Sequence, residues 1–143
     1  MDLNTYLSFD GNCAAAFKFY EKVLGGKILV TMTYGDMPGC PDMSEGVKTR
    51  VAHTRMQLGD KLLMGSDSPP GRFEKPNGFH VNISVNDPSQ ADRLFAALSE
   101  KGSVTMPIQE TFWAARFGMF VDQFGTPWMI NCEKAAAKSA TAA

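Results

Sequence analysis

Phe79-His80-Val81-Asn82-Ile83-Ser84-Val85-Asn86-Asp87-Pro88-Ser89-Gln90 opens a second round of the pattern with which the chain begins. Val81, Ile83 and Val85 alternate with His80, Asn82 and Ser84, the period of a strand with one buried face. Asp87 then supplies an acidic N-cap, Pro88 the first helical position and Gln90 the third, so a helix starts at once. Ala91, Leu94, Phe95 and Leu98 form its apolar stripe, and Gly102 ends it. Strands near Ser103–Pro107, Ala114–Asp122 and Thr126–Cys132 complete this half. The last two meet at a tight turn where Gly125 can take positive φ.

The N-terminal half has the same order. Leu3, Thr5, Leu7 and Phe9 face one way along a strand, with Asn4, Tyr6 and Ser8 on the other side. Asn12 N-caps a helix whose stripe is Cys13, Phe17, Tyr20 and Leu24, and Gly25-Gly26 stops it. Lys27–Tyr34 reads as a strand and Gly35–Gly46 as a loop. Val47–Leu58 and Lys61–Ser66 read as a hairpin around Gly59-Asp60. Asp67 is a turn residue, and 67–78 has the composition of a linker. The sequence thus predicts an α+β chain of two βαβββ modules, 1–66 and 79–132, with a frayed Ala-rich tail over 133–143. Each module has a helix under its apolar sheet face and turns a polar face to a cavity. Neither covers its own edge strands, so the modules pair with each other or with a second copy.

Composition narrows the function. A chain of 143 residues with 44% hydrophobic and 20% charged residues suits a folded domain or two small modules. The net charge of −1, without a long basic run, argues against nucleic acid or an anionic membrane as partner. No signal-like N-terminus or membrane-length apolar run is present, so the expected location is the cytoplasm. Cys13, Cys40 and Cys132 contain no Cys-x-x-Cys pair and suggest neither a disulfide framework nor a zinc site. Cys40 reads as an exposed loop thiol.

Several short stretches add a resemblance: Tyr6-Leu7-Ser8-Phe9-Asp10-Gly11-Asn12, Phe19-Tyr20, Leu24-Gly25-Gly26, Gly35-Asp36-Met37-Pro38, Ala52-His53, Glu110-Thr111-Phe112-Trp113 and Asp122-Gln123-Phe124-Gly125-Thr126-Pro127-Trp128-Met129-Ile130-Asn131. With the duplicated order, they resemble the PhnB-like branch of the vicinal oxygen chelate superfamily, which includes glyoxalase I, bleomycin-resistance proteins and extradiol dioxygenases. The resemblance runs from Leu3 to Cys132. It implies half-barrel sheets around a cavity, a homodimer, and a divalent metal held by four side chains to bind adjacent substrate oxygens. Those four positions fall at Asn4, at His80, near Leu63 with Met64 as its register neighbour, and at Met129. Only His80 is a good ligand; Asn4 is weak, and Leu63 and Met129 cannot serve a hard metal. The expectation is therefore no metal cofactor. Some relatives carry a demethylubiquinone methyltransferase label, but no glycine-rich nucleotide loop follows a strand here.

The candidate site residues each have a plainer alternative. His80 is a residual ligand, a general base or a polar wall residue. His53 shares a strand face with Arg55, either to bond a ligand or to serve the structure. Glu110, beside Phe112 and Trp113, is desolvated and fit for proton transfer, or else paired with Arg116 or left in water. Both tryptophans and four of the ten phenylalanines fall within 109–131. Phe112, Trp113, Phe117 and Trp128 form a ligand wall or fill the core. Tyr34, Met37 and Pro38 cover the cavity mouth or merely connect strands. Three functions follow: a metal-free small-molecule binder using Asn4, Tyr6, Tyr34, His53, Phe112, Trp113, Arg116 and Trp128; a lyase or isomerase with His80 or Glu110 moving a proton, and Asn4 or Arg116 steadying an oxyanion; or an interaction protein with a vestigial cavity.

Overall fold

A computed structural model describes residues 1–39 and 43–135, leaving Cys40 and most of the expected frayed tail outside the described residues. The chain divides into two compact units, Met1–Lys75 and a second beginning at Pro76. In the first, β1 (Thr5–Phe9) leads to α1 (Cys13–Leu24), β2 (Lys27–Thr33), a single 3-10 turn, a short α2 (Glu45–Lys48), β3 (Val51–Leu58) and β4 (Lys61–Asp67). In the second, β5 (Val81–Val85) leads to α3 (Pro88–Leu98), β6 (Ser103–Gln109), β7 (Ala114–Val121) and β8 (Pro127–Glu133). Each unit is a four-stranded mixed sheet, ordered β1-β4-β3-β2 and β5-β8-β7-β6, with the first strand parallel to the last. The fold is α+β, a repeated βαβββ unit.

Each helix packs over one face of its sheet. Leu7, Phe9, Phe17, Tyr20, Met56 and Leu63 are buried on that side in the first unit, and Leu94, Phe95, Phe120, Trp128 and Ile130 in the second. A glycine admits a helix-borne ring in both. A Cβ on Gly65 would lie 2.7 Å from Phe17, and one on Gly118 would lie 2.6 Å from Phe95.

Several expectations are corrected. Leu3 is fully exposed, because pairing with β4 begins only at Thr5 opposite Leu63. Val47 belongs to the helical turn before β3, where Val47 and Lys48 N–H donate to Ser44 O. Asn12 makes no side-chain cap. Asp67 takes that role from the end of β4: its Oδ1 accepts Gly11 N–H at 2.8 Å and Cys13 N–H at 3.0 Å. Asp67 is thus a buried anchor rather than a turn residue. Asp87 does cap α3, accepting Ser89 N–H at 3.0 Å. That helix ends at Leu98; Lys101, not Gly102, takes the left-handed φ of 60°. Gly102 instead lies where a Cβ would strike Val121 O.

Candidate functional site

The face away from the helix is the open face of each sheet, and strand alternation decides what it carries. In the first unit one row runs Tyr6, Met64, Arg55, Val30, each paired with the next. Ser8 pairs with Ser66 and Met32 with His53 in the neighbouring rows. Tyr6 Oη lies 3.2 Å from His53 Nδ1, and the two rings stack at 5.8 Å with 21° between planes. Tyr34, just past β2, donates its hydroxyl to Asp67 O at 2.8 Å. Burial, then the charges of Asp67 and Tyr6, push its phenol upward, with Arg50 partly opposing them. Asn4 is exposed and precedes β1.

In the second unit one row joins Asn82, Met129 and Met119, and the next joins Ser84, Asn131 and Phe117. Asn82 Nδ2 donates to Ser84 Oγ at 3.0 Å, while Asn131 Oδ1 is buried without a hydrogen-bond partner. A tight link before β7 sets the aromatic tip. Thr111 N–H donates to Ala114 O, and Ala114 N–H to Thr111 Oγ1, both at 3.0 Å. Phe112 and Trp113 are thereby held outward, their rings edge-to-face at 4.8 Å, and Trp113 meets Phe117 the same way at 5.4 Å. Phe112 is 89% exposed and Trp113 42%.

Other sequence candidates lie elsewhere. Trp128 is in the core, its indole N–H donating to Asp122 Oδ2 at 2.8 Å, because it sits on the helix side of β8. Arg116 also points to the helix side, where its Nε lies 3.0 Å from Asp92 Oδ1. Neither atom finds an aligned N–H bond there, so charge rather than directional bonding holds that pair. Glu110 is not desolvated; its side chain is 67% exposed and pairs with Lys134 at 3.2 Å. A surface pair of this kind contributes at most about 1 kcal/mol. His80 is exposed, immediately before β5. Met37 is exposed beyond the 3-10 turn. Sequence alone gives no site role to Asn131 or Arg55, although alternation from Met129 and His53 places both on open faces.

The four positions where the resemblance puts metal ligands do not suit a hard cation. Leu63 is buried on the helix side, so the open-face residue of β4 is Met64, paired with Tyr6 as Met129 is with Asn82. The donors that the resemblance implies would then be an amide and a thioether from the first unit and an imidazole and a thioether from the second, too few nitrogen and oxygen ligands for magnesium, manganese or zinc. Among the described residues, no group of three or more His, Cys, Asp or Glu side chains is placed to hold a metal ion.

A family model described as the Glyoxalase/Bleomycin resistance protein/Dioxygenase superfamily matches residues 2–130. Protein YjdN of Escherichia coli (strain K12) is 35% identical over 142 residues, covering 94% of this chain and 97% of that protein. Among solved structures, protein PA1353 from Pseudomonas aeruginosa is 42% identical, covers 93% of this chain and 98% of its own, and superposes with a TM-score of 0.86. The PhnB protein from Bacillus cereus shares the fold at 21% identity, with a TM-score of 0.78 over 92% of this chain and 99% of its own. No helix among the described residues is long and apolar enough to cross a membrane.

Proposed function

The chain belongs to the Glyoxalase/Bleomycin resistance protein/Dioxygenase superfamily, and within it we propose a homodimeric, cytoplasmic protein that binds a small organic molecule without a metal cofactor. The observation that carries this reading is the aromatic tip of the second unit. Phe112 and Trp113 stay in water at 89% and 42% exposure although they are the largest apolar surfaces on their loop. Such area is stabilised by burial at about 25 cal/mol per Å², and the edge-to-face rings form a perpendicular corner against which a planar group can stack. Asn82, Ser84 and Asn131 supply polar contacts beside it on the same open face. The donor chemistry at Asn4, Met64, His80 and Met129 supports the metal-free part of the reading. Open strands at both edges of each sheet support the dimer.

A lyase or isomerase step on a small oxygenated compound would rest on His80, because Glu110 is engaged by Lys134 in solvent. The binder therefore ranks first. A thermal-shift screen over aromatic metabolites tests it: a ligand at a hundred times its dissociation constant adds about 2.7 kcal/mol of stability. Trp113→Ala is expected to remove the shift, with the unliganded melting temperature lowered only by the lost ring contacts to Phe112 and Phe117. Shifts untouched by Trp113→Ala would move the site away from the tip, and an activity lost in His80→Ala would restore the enzyme.

A further inference from the structure

We infer that the open face of the first unit binds a small oxyanion, a carboxylate or a phosphate-type group, through Arg55 and the Nε2–H of His53. The inference rests on the binder reading but on different residues. Charge on this unit is sorted by face. The only acidic residue in β1, β2, β3 or β4 is Asp67, and its carboxylate is buried on the helix side against Gly11, Cys13 and Val51. The opposite face thus receives no carboxylate from any of its four strands, while it carries Arg55 and His53, with Lys27 paired to Gln57 at its edge. No strand-borne acid offsets Arg55 on this face, which leaves its strands with a local excess of positive charge.

Geometry turns that charge into a site. Arg55 and Tyr6 flank Met64 in a single row, which puts their Cα atoms two strand spacings, roughly 10 Å, apart. His53 follows two residues before Arg55 on the same face, about 7 Å away along the strand. Arg55 takes part in no salt bridge among the described residues, so its five donors await an acceptor. Tyr6 is the positioning residue. Its Oη lies 3.2 Å from His53 Nδ1, and in the tautomer in which the hydroxyl donates to Nδ1 the ring carries a proton on Nε2 that a ligand can accept. A guanidinium and an imidazole two residues apart on one strand face suit planar carboxylate or tetrahedral phosphate oxygens, through charge-assisted bonds.

Benzoate, its neutral near-isostere benzamide, and inorganic phosphate are titrated calorimetrically into the full-length chain. Benzoate or phosphate is expected to bind at least tenfold more weakly to Arg55→Gln than to the native chain, with benzamide unaffected. Which anion shows the Arg55 dependence assigns the ligand as carboxylate or phosphate. Because Arg55 is exposed, the variant is expected to keep its melting temperature. In Tyr6→Phe, ¹⁵N shifts should report His53 losing its single tautomer, with anion affinity reduced and benzamide again unaffected. Equal anion affinity in native chain and Arg55→Gln overturns the inference. Benzamide binding alone overturns it while sparing the binder reading, and binding by none of the three removes the support for both.

Discussion

Asp67 Oδ2 accepts the backbone N–H of Val51 at 2.8 Å, so the last residue of β4 holds the first residue of β3. The other oxygen reaches the start of α1 through Gly11 and Cys13, and Asp67 O receives the Tyr34 hydroxyl. The carboxylate thus ties β4 to β3 and to the start of α1, and the backbone carbonyl of the same residue adds the segment of Tyr34. Asp67→Asn keeps the shape but turns an acceptor into a donor that faces a backbone N–H. A lost bond to a charged group together with an orphaned buried N–H amounts to roughly 3 kcal/mol. Urea denaturation should register that loss; a change below about 1 kcal/mol would show that these N–H groups find water instead.

Gly118 and Gly25 separate two uses of glycine. Gly25 ends α1 at φ 74° with nothing within 4 Å of a Cβ, so Gly25→Ala meets only left-handed strain, about 1 kcal/mol. Gly118 has an open choice of φ but no room: its Cβ would lie 2.6 Å from Phe95 and 2.9 Å from the Ile108 backbone. Because backbone cannot swing aside as a side chain can, Gly118→Ala should cost 1–3 kcal/mol, to be read from thermal melts. A smaller loss than in Gly25→Ala would contradict the packing argument.

These contacts mark where sequence reasoning stops. Alternation in Leu7-Ser8-Phe9 and Val81-Asn82-Ile83 is local, so the strands, their buried faces and the repeat were legible. Asp87 could be read as a cap because its partner, Ser89, is two residues away. Asp67 could not, since the helix start that it caps lies 54 and 56 residues away. The same reason accounts for the site. Face membership of Tyr6, His53 and Arg55 follows from period two, but β1 reaches β3 only across β4, which no spacing reveals. Trp128 and Arg116 were misplaced because aromatic and charged residues near a suspected wall look alike on either side of a strand.

Cys13 gives the chain an alkaline weakness. Burial, and then the nearby Asp67 carboxylate, push its thiol from 9.0 up to about 12. An acid raised on folding is protonated in both states below pH 9 and contributes no pH dependence there. Between about 9 and about 12 only the unfolded chain gives up the proton, so stability falls with rising pH, by at most about 1.4 kcal/mol per unit. Tyr34 is raised as well and acts in the same direction. Melting temperature should fall between pH 9 and 11, more shallowly in Cys13→Ala, and iodoacetamide should label Cys13 only on unfolding. Equal slopes in the two chains would count against the buried thiol as the source.

Metal content bears most directly on the functional reading. If Met64 and Met129 stand where the superfamily places hard ligands, the protein purified without chelator should hold far less than one divalent ion per chain by elemental analysis. Manganese, nickel or zinc in excess should leave the melting temperature unchanged, since a ligand that binds the folded state raises it by mass action. His80→Ala should then be as stable as the native chain in either condition, because an exposed imidazole with no metal to hold contributes little to folding. Stoichiometric metal lost on His80→Ala would mean that His80 recruits ligands beyond these positions. The thioether assignment would then have to be abandoned.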